Sequence, residues 1–126
     1  MFGATLRINS REEIGLARAA RQSTDNIIFR DEVATLLNLA LLLQPGDVFV
    51  DIGANVGLYS SILSRFANAY PESRFVAIEP NPETVQRLRE SVRNAPVTVL
   101  NVAVSDKESE LAFQRGITSG VFKVAE

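Results

Sequence analysis

The stretch Val48-Phe49-Val50-Asp51-Ile52-Gly53-Ala54-Asn55-Val56-Gly57 decides how the rest of the chain is read. Its first half is a nearly continuous apolar run that starts just after the turn signal Gln44-Pro45-Gly46-Asp47. Such a run fits a strand buried on both faces, as in a parallel sheet. The second half is a loop with glycine at each end. Gly53 and Gly57 let the backbone turn sharply and approach a ligand closely, and Asn55 tolerates the left-handed conformations such a loop needs. Leu58, Ile62, Leu63 and Phe66 then return at helical spacing, which predicts a helix over about 57–67 whose free N–H groups point back over the loop.

Downstream the pattern repeats. Arg74-Phe75-Val76-Ala77-Ile78-Glu79 reads as a second strand, and Asn81-Pro82 opens a helix, with Asn as N-cap, Pro at the first helical position, and an apolar stripe of Val85, Leu88 and Val92. After Asn94-Ala95-Pro96, residues 97–104 read as a third strand and 111–114 as a short fourth. Strands separated by helices of this length call for right-handed crossovers and a parallel sheet with helices on both faces. Upstream, Ser10-Arg11-Glu12-Glu13 has capping-box spacing and predicts a helix over about 11–22, with Arg18 and Arg21 near its end. A polar loop around 23–26 follows, then a second helix over about 31–43 carrying Val33, Leu36, Leu37, Ala40 and Leu41. Residues 1–43 thus form a helical segment packed on a domain of residues 44–126. Arg7, Arg11, Arg18 and Arg21 read as a solvated basic strip.

Composition narrows the chemistry. The chain has 126 residues, with 46% hydrophobic, 13 Lys and Arg against 15 Asp and Glu, and neither His nor Cys. One globular domain is expected, without thiol nucleophiles, disulfides, Cys- or His-based zinc sites or imidazole acid–base catalysis. A net charge of −2 offers no general attraction to nucleic acid or an anionic membrane. No apolar run approaches the ~20 residues of a membrane span, and the opening residues are too polar for a secretory signal, so a cytoplasmic protein is expected. Asp106, Glu108 and Glu110 read as a solvated turn, not a metal site, and Gly116-Ile117-Thr118-Ser119-Gly120 as a connection. Phe66, Tyr70 and Phe75 read as packing residues.

Open parallel sheets bind ligands beyond the carboxyl ends of their strands. Three pieces fall there: Asp51-Ile52-Gly53-Ala54-Asn55-Val56-Gly57, Glu79-Pro80-Asn81, and Ala103-Val104-Ser105-Asp106. Glu79 follows Gly57 by 22 residues, close to the ~20-residue interval at which a strand-end carboxylate takes ribose hydroxyls in nucleotide folds. Taken singly, each has a structural reading: glycines shape βα turns without ligands, Asp51 caps the turn after it, and Glu79 is a solvated carboxylate. Placed together they point to a nucleoside. The loop is neither the Gly-x-Gly-x-x-Gly of dinucleotide sites nor a phosphate-cradling loop with Lys-Ser/Thr. Between Gln44 and Ser64 there is no Lys or Arg, while Asp47 and Asp51 are acidic. Such a crevice suits poorly a pyrophosphate and well an adenosine whose other end carries an ammonium and a sulfonium, as in S-adenosylmethionine.

The words Asp51-Ile52-Gly53-Ala54-Asn55-Val56-Gly57-Leu58-Tyr59-Ser60, Ala77-Ile78-Glu79-Pro80-Asn81-Pro82 and Asn101-Val102-Ala103-Val104-Ser105-Asp106 resemble successive motifs of the FkbM-type S-adenosylmethionine-dependent methyltransferases. The resemblance covers roughly residues 44–120. It implies a three-layer, Rossmann-like class I methyltransferase fold with strand order 3-2-1-4-5, and methyl transfer to a hydroxyl of a small molecule or glycan. By resemblance, Asp51, Gly53, Ala54, Asn55 and Gly57 surround the methionine part of the cofactor, Glu79 holds the ribose hydroxyls, Pro80 and Asn81 shape that turn, and Ala103, Val104 and Ser105 border adenine. No general base is assigned. Members of the family continue into a Lys-Ile-Asp-Val-Glu-Gly-like segment that this chain lacks. In the order 3-2-1, the apolar strand at 48–53 lies at an open edge, so the fold is expected to be incomplete at its carboxyl end, its edge covered by a missing half, by a second copy or by residues 111–125. Two other readings stay open: a non-catalytic S-adenosylmethionine-binding module, and an NAD-dependent oxidoreductase, which the loop pattern disfavours.

Overall fold

The computed structural model describes residues 4–21, 27–106, 113–115 and 122–124, with side chains described for 4–21 and 32–106. Its elements run α1 (Ile14–Arg21), α2 (Ile27–Leu42), β1 (Val48–Ile52), α3 (Leu58–Leu63), β2 (Arg74–Ile78), α4 (Pro82–Ser91), β3 (Val97–Leu100), β4 (Phe113–Arg115) and β5 (Phe122–Val124). A single 3-10 turn, Ser64–Phe66, prolongs α3. β1, β2 and β3 form a parallel sheet in the order β1-β2-β3, with Asp51 beside Ala77 and Ala77 beside Val99. β1 is therefore an edge strand, as its place in the order 3-2-1 requires.

The register sorts the side chains into two faces, because alternate residues of a strand point to opposite sides. Phe49, Phe75, Ala77, Val97 and Val99 face the helices. Phe75 packs with Leu36 and Ala40 of α2 and Ile62 and Leu63 of α3, while Ala77 packs with Leu88 of α4 and with Val92. On the other side Val48, Val50, Ile52 and Leu100 are exposed, Ile52 by 64%. Among the described residues the helices lie on one face of the sheet. The parallel α/β architecture is present, and the second helical layer expected from the strand–helix alternation is not among them.

Several boundaries differ from the sequence reading for local reasons. The first helix begins at Ile14, not near residue 11, because residues 10–12 form a turn of their own: the Asn9 side chain accepts from the Arg11 N–H, the Asn9 carbonyl accepts from the N–H groups of Glu12 and Glu13, and the Asn9 N–H donates to Glu13 Oε2 at 2.5 Å. The first helical bond runs from the Ala17 N–H to the Glu13 carbonyl, three residues past the expected cap. α2 begins at Ile27, earlier than expected. β3 ends at Leu100, not 104, since the Asn101 side chain turns to the β2–α4 turn. Residues 113–115 pair antiparallel with 122–124 in a separate two-stranded sheet. The expected polar loop at 23–26, Glu108, Glu110 and the stretch 116–120 lie outside the described residues.

The amino-terminal segment is tied to α4 by charge. Arg87 Nη2 lies 2.8 Å from Glu12 and 2.9 Å from Glu13, with both carboxylates largely out of solvent. Arg7 pairs with Glu90 at 3.1 Å, and its backbone N–H donates to Ser91 Oγ. Arg11, Arg18 and Arg21, the other residues of the strip, are exposed. Tyr70, half-buried, donates its hydroxyl to the Ala40 carbonyl at 2.6 Å, closing the end of α2 over the sheet.

Candidate functional site

The glycine loop is shaped by three left-handed residues, Gly53 (φ 76), Asn55 (φ 50) and Gly57 (φ 85). The two glycines are needed for different reasons. A Cβ at Gly53 would meet nothing within 4 Å, so only the torsion excludes a side chain there; a Cβ at Gly57 would stand 2.6 Å from Leu88 Cδ1. Gly57 is what allows α3 to start hard against α4. The N–H groups of Gly53 and Ala54 both donate to the Ile78 carbonyl at 2.9 Å, which seats the loop on the carboxyl end of β2. Ala54, 5% exposed, faces the core and packs on Ala77 and Leu88.

Across from it, Glu79 directly follows β2 and gathers the neighbouring turns. Its Oε2 accepts from the Asn55 N–H at 3.0 Å, and its Oε1 from the Asn81 N–H at 2.9 Å. The solvated carboxylate anticipated as one reading is thereby corrected: Glu79 is 4% exposed, because two backbone donors on opposite sides replace water. Asn81 caps α4 as expected, accepting from the Glu83 N–H at 3.0 Å, with Pro82 in the first turn. Asn101 Nδ2 donates to the carbonyls of Glu79 and Pro80 at 2.9 and 2.8 Å, pinning this turn to the end of β3.

Asp51 Oδ2 accepts from Ser60 Oγ at 2.6 Å and from the Ser60 N–H at 3.1 Å, so it caps the first turn of α3 from inside the strand. Tyr59 donates its hydroxyl to the Glu32 carboxylate. Burial first, then the hydrogen bond to and charge of Glu32, and the charge of Asp51, push the Tyr59 hydroxyl up to about 12 against the opposing pull of a hydrogen bond with Thr35. At neutral pH it keeps its proton and acts as a donor.

The structure thus brings together Asp51, Gly53, Ala54, Asn55 and Gly57 of the loop with Glu79, Pro80 and Asn81 of the second turn. Ala103, Val104 and Ser105 follow Asn101 in an irregular run with Ala103 half-buried and the other two exposed, and Ser105 Oγ lies 3.2 Å from Asp106. Two contributors escaped the sequence reading. Asn101 stood inside a quoted motif without a role, and Glu32 lay in a helix read only for its apolar stripe. A cavity of about 460 Å³ lined by Ser64, Arg65, Asn68, Arg93 and Asn94 opens at the other end of the sheet. It sits beneath the amino ends of the strands, away from the glycine loop.

Residues 51–125 match the Methyltransferase FkbM domain, a span that begins at Asp51 and takes in the glycine loop, Glu79 and Asn101. The chain belongs to the FkbM methyltransferase family. Over 115 residues it is 32% identical to the hexuronic acid methyltransferase AglP of Haloferax volcanii, covering 90% of this chain and 42% of that protein. Over 88 residues it is 39% identical to the AMB antimetabolite synthetase AmbE of Pseudomonas aeruginosa, covering 68% of this chain and 4% of that protein. The chain therefore spans less than half the length of either relative. A transferase-titled crystal structure from Pyrococcus horikoshii, PH0793, overlaps 54% of this chain and 26% of its own with a TM-score of 0.43 and 24% identity. Among the described residues no helix is long and apolar enough to cross a membrane, and no group of acidic side chains has the arrangement of a metal site.

Proposed function

We propose that this chain forms the S-adenosylmethionine-binding part of a methyltransferase that acts on a hydroxyl acceptor. The observation that carries the reading is the Glu79 carboxylate, set at the carboxyl end of β2 and bonded to the glycine loop through Asn55 and to the α4 turn through Asn81. Each of its oxygens takes one N–H and retains lone-pair capacity for a hydroxyl, so the pair suits a ribose diol. When bound, the cofactor supplies a methyl carbon made electrophilic by a sulfonium.

The residues of the chain would do the rest by placement. The left-handed turns at Gly53 and Gly57 let the backbone pass close to the ligand, and Asn55 carries a loop N–H to the carboxylate that orients the ribose. The absence of Lys and Arg between Gln44 and Ser64 leaves Asp51 to set the sign of the local field, which favours a positively charged methionine end over a pyrophosphate. Ala103, Val104 and Ser105 are proposed to border adenine. Much of the rate enhancement in a methyl transfer can come from holding acceptor and methyl in line. Tyr59, whose proton is firmly held, is unsuited to be the general base.

AglP is named for a hexuronic acid, which makes a sugar acid or a glycan containing one the first acceptor to try. The exposed Val48, Val50, Ile52 and Leu100 and the unpaired edge of β1 would be covered by further polypeptide of the same domain, a proposal supported by the greater length of AglP. A cytoplasmic setting, without nucleic acid or membrane as partner, belongs to the same proposal.

The test is calorimetric titration of the chain with S-adenosylhomocysteine, with NAD as the competing ligand and with Glu79→Gln as the variant. Binding of the homocysteine compound but not NAD, weakened about tenfold or more in a folded Glu79→Gln chain, is expected from the loss of charge-assisted bonds. Binding of NAD alone would turn the assignment to an oxidoreductase.

A further inference from the structure

α2 ends at Leu42 and returns through a short turn into β1, so the helix runs antiparallel to the strand. At about 1.5 Å per residue, the ten residues from Glu32 to Leu42 rise about 15 Å, close to the length of a five-residue strand at about 3.3 Å per residue. Glu32 therefore stands level with the carboxyl end of β1, where the glycine loop begins. There it meets Tyr59, whose hydroxyl donates to the Glu32 carboxylate. Tyr59 also lies within the field of Asp51, whose own carboxylate is held by Ser60.

Two carboxylates from elements far apart in sequence thus flank the start of α3. Glu32, Tyr59 and Asp51 are all half-buried, so a ligand can reach them, and the space where a Cβ of Gly53 would stand is open for 4 Å. The fixing of Glu32 by a neutral donor matters. A tyrosine hydroxyl orients the carboxylate without cancelling its charge, as Lys or Arg in that place would. An oriented, uncancelled carboxylate at a partly desolvated rim is suited to bind a cation.

We propose that Glu32, oriented by Tyr59, determines specificity at this site by accepting the α-ammonium group at the amino acid end of S-adenosylmethionine. The inference rests on the cofactor reading above and adds a residue from outside the matched span of 51–125. Tyr59 is a positioning residue and Glu32 the contacting one.

The experiment compares two probes that differ in the group at issue. S-adenosylhomocysteine carries the ammonium; 5′-methylthioadenosine keeps adenosine and the thioether but has no amino acid end. Calorimetry on the folded chain and on Glu32→Gln is expected to show S-adenosylhomocysteine weakened about tenfold or more and 5′-methylthioadenosine changed less than about twofold. Tyr59→Phe, which keeps the carboxylate and loses its orienting donor, is expected to lower the preference between the two probes by about threefold. Glu79→Gln is expected to weaken both probes alike. If Glu32→Gln leaves S-adenosylhomocysteine unchanged, or weakens both probes equally, while Glu79→Gln still weakens both, the role of Glu32 is overturned and the cofactor reading stands. If the unsubstituted chain binds neither probe, both fall.

Discussion

Between β1 and α3 the chain reverses on residues that lack side chains or turn them away, whereas between β2 and α4 it reverses on side chains that hold the turn from within. The first turn uses positive φ at Gly53, Asn55 and Gly57 and the bare α-carbon of Gly57 against Leu88. The second uses the carboxylate of Glu79, the amide of Asn81 and, from β3, the amide of Asn101. The two are joined by the bond from the Asn55 N–H to Glu79 Oε2. A turn made on left-handed glycines is strained by any side chain placed on them, while a turn made by side-chain bonds fails one bond at a time.

That contrast sets the order of expected effects. Gly57→Ala should be the most costly: the left-handed torsion and the displacement of a fully buried Leu88 together cost about 3 kcal/mol. Gly53→Ala, with the torsion alone against it, should cost about 1 kcal/mol, and urea unfolding of the two variants measures the gap. Equal losses would mean that Leu88 simply moves aside. Next, Asn101→Ala removes both bonds to the carbonyls of Glu79 and Pro80 and should cost about 1–2 kcal/mol. Asn101→Asp, which sets an acceptor against two acceptors, should lose more, and the same denaturation series separates them. Asn81→Ala removes the cap of α4 at a cost of about 1 kcal/mol, which Asn81→Asp should largely restore.

The smallest effect is spectroscopic and sits at the junction between the first turn and α2. Tyr59 should form its phenolate at about pH 12 in an ultraviolet titration, above the ordinary value of 10. In Glu32→Gln that midpoint should fall toward 10 without reaching it, because burial still opposes the charge. The sign for stability follows: a hydroxyl raised in the folded state contributes fully below pH 10, and the contribution disappears as pH rises through about 12. A Tyr59 titration unchanged by Glu32→Gln would break the coupling between α2 and the loop.

The first turn was the more legible of the two in sequence. Glycine at a strand end has few uses, so Gly53 and Gly57 announced the turn, and the Asn81-Pro82 pair announced the start of α4 just as directly. Glu79 was marked by its spacing from Gly57, but whether it would stand in water or be bonded from both sides depended on how closely the loop seats on β2. Asn101 looked like one more residue of a third strand, since nothing local says that its amide will turn to the carbonyls of Glu79 and Pro80. The start of α1 slipped because Asn9 and Glu13 close a turn of their own ahead of the helix, and Glu13 is itself held by Arg87 of α4.

The sequence by itself determined what depends on neighbours along the chain: the parallel strand–helix order, the apolar core positions, the left-handed loop and the cap of α4. Period, torsion and capping are local physics, carried within a few residues of where they act. The tertiary structure alone decided which face of the sheet the described helices cover, that the Asn55 N–H reaches Glu79, and that Glu32 of α2 stands over the start of α3 beside Tyr59. Those contacts join residues 24 to 27 positions apart, and their existence depends on the angle at which whole elements pack, which no short stretch of sequence contains.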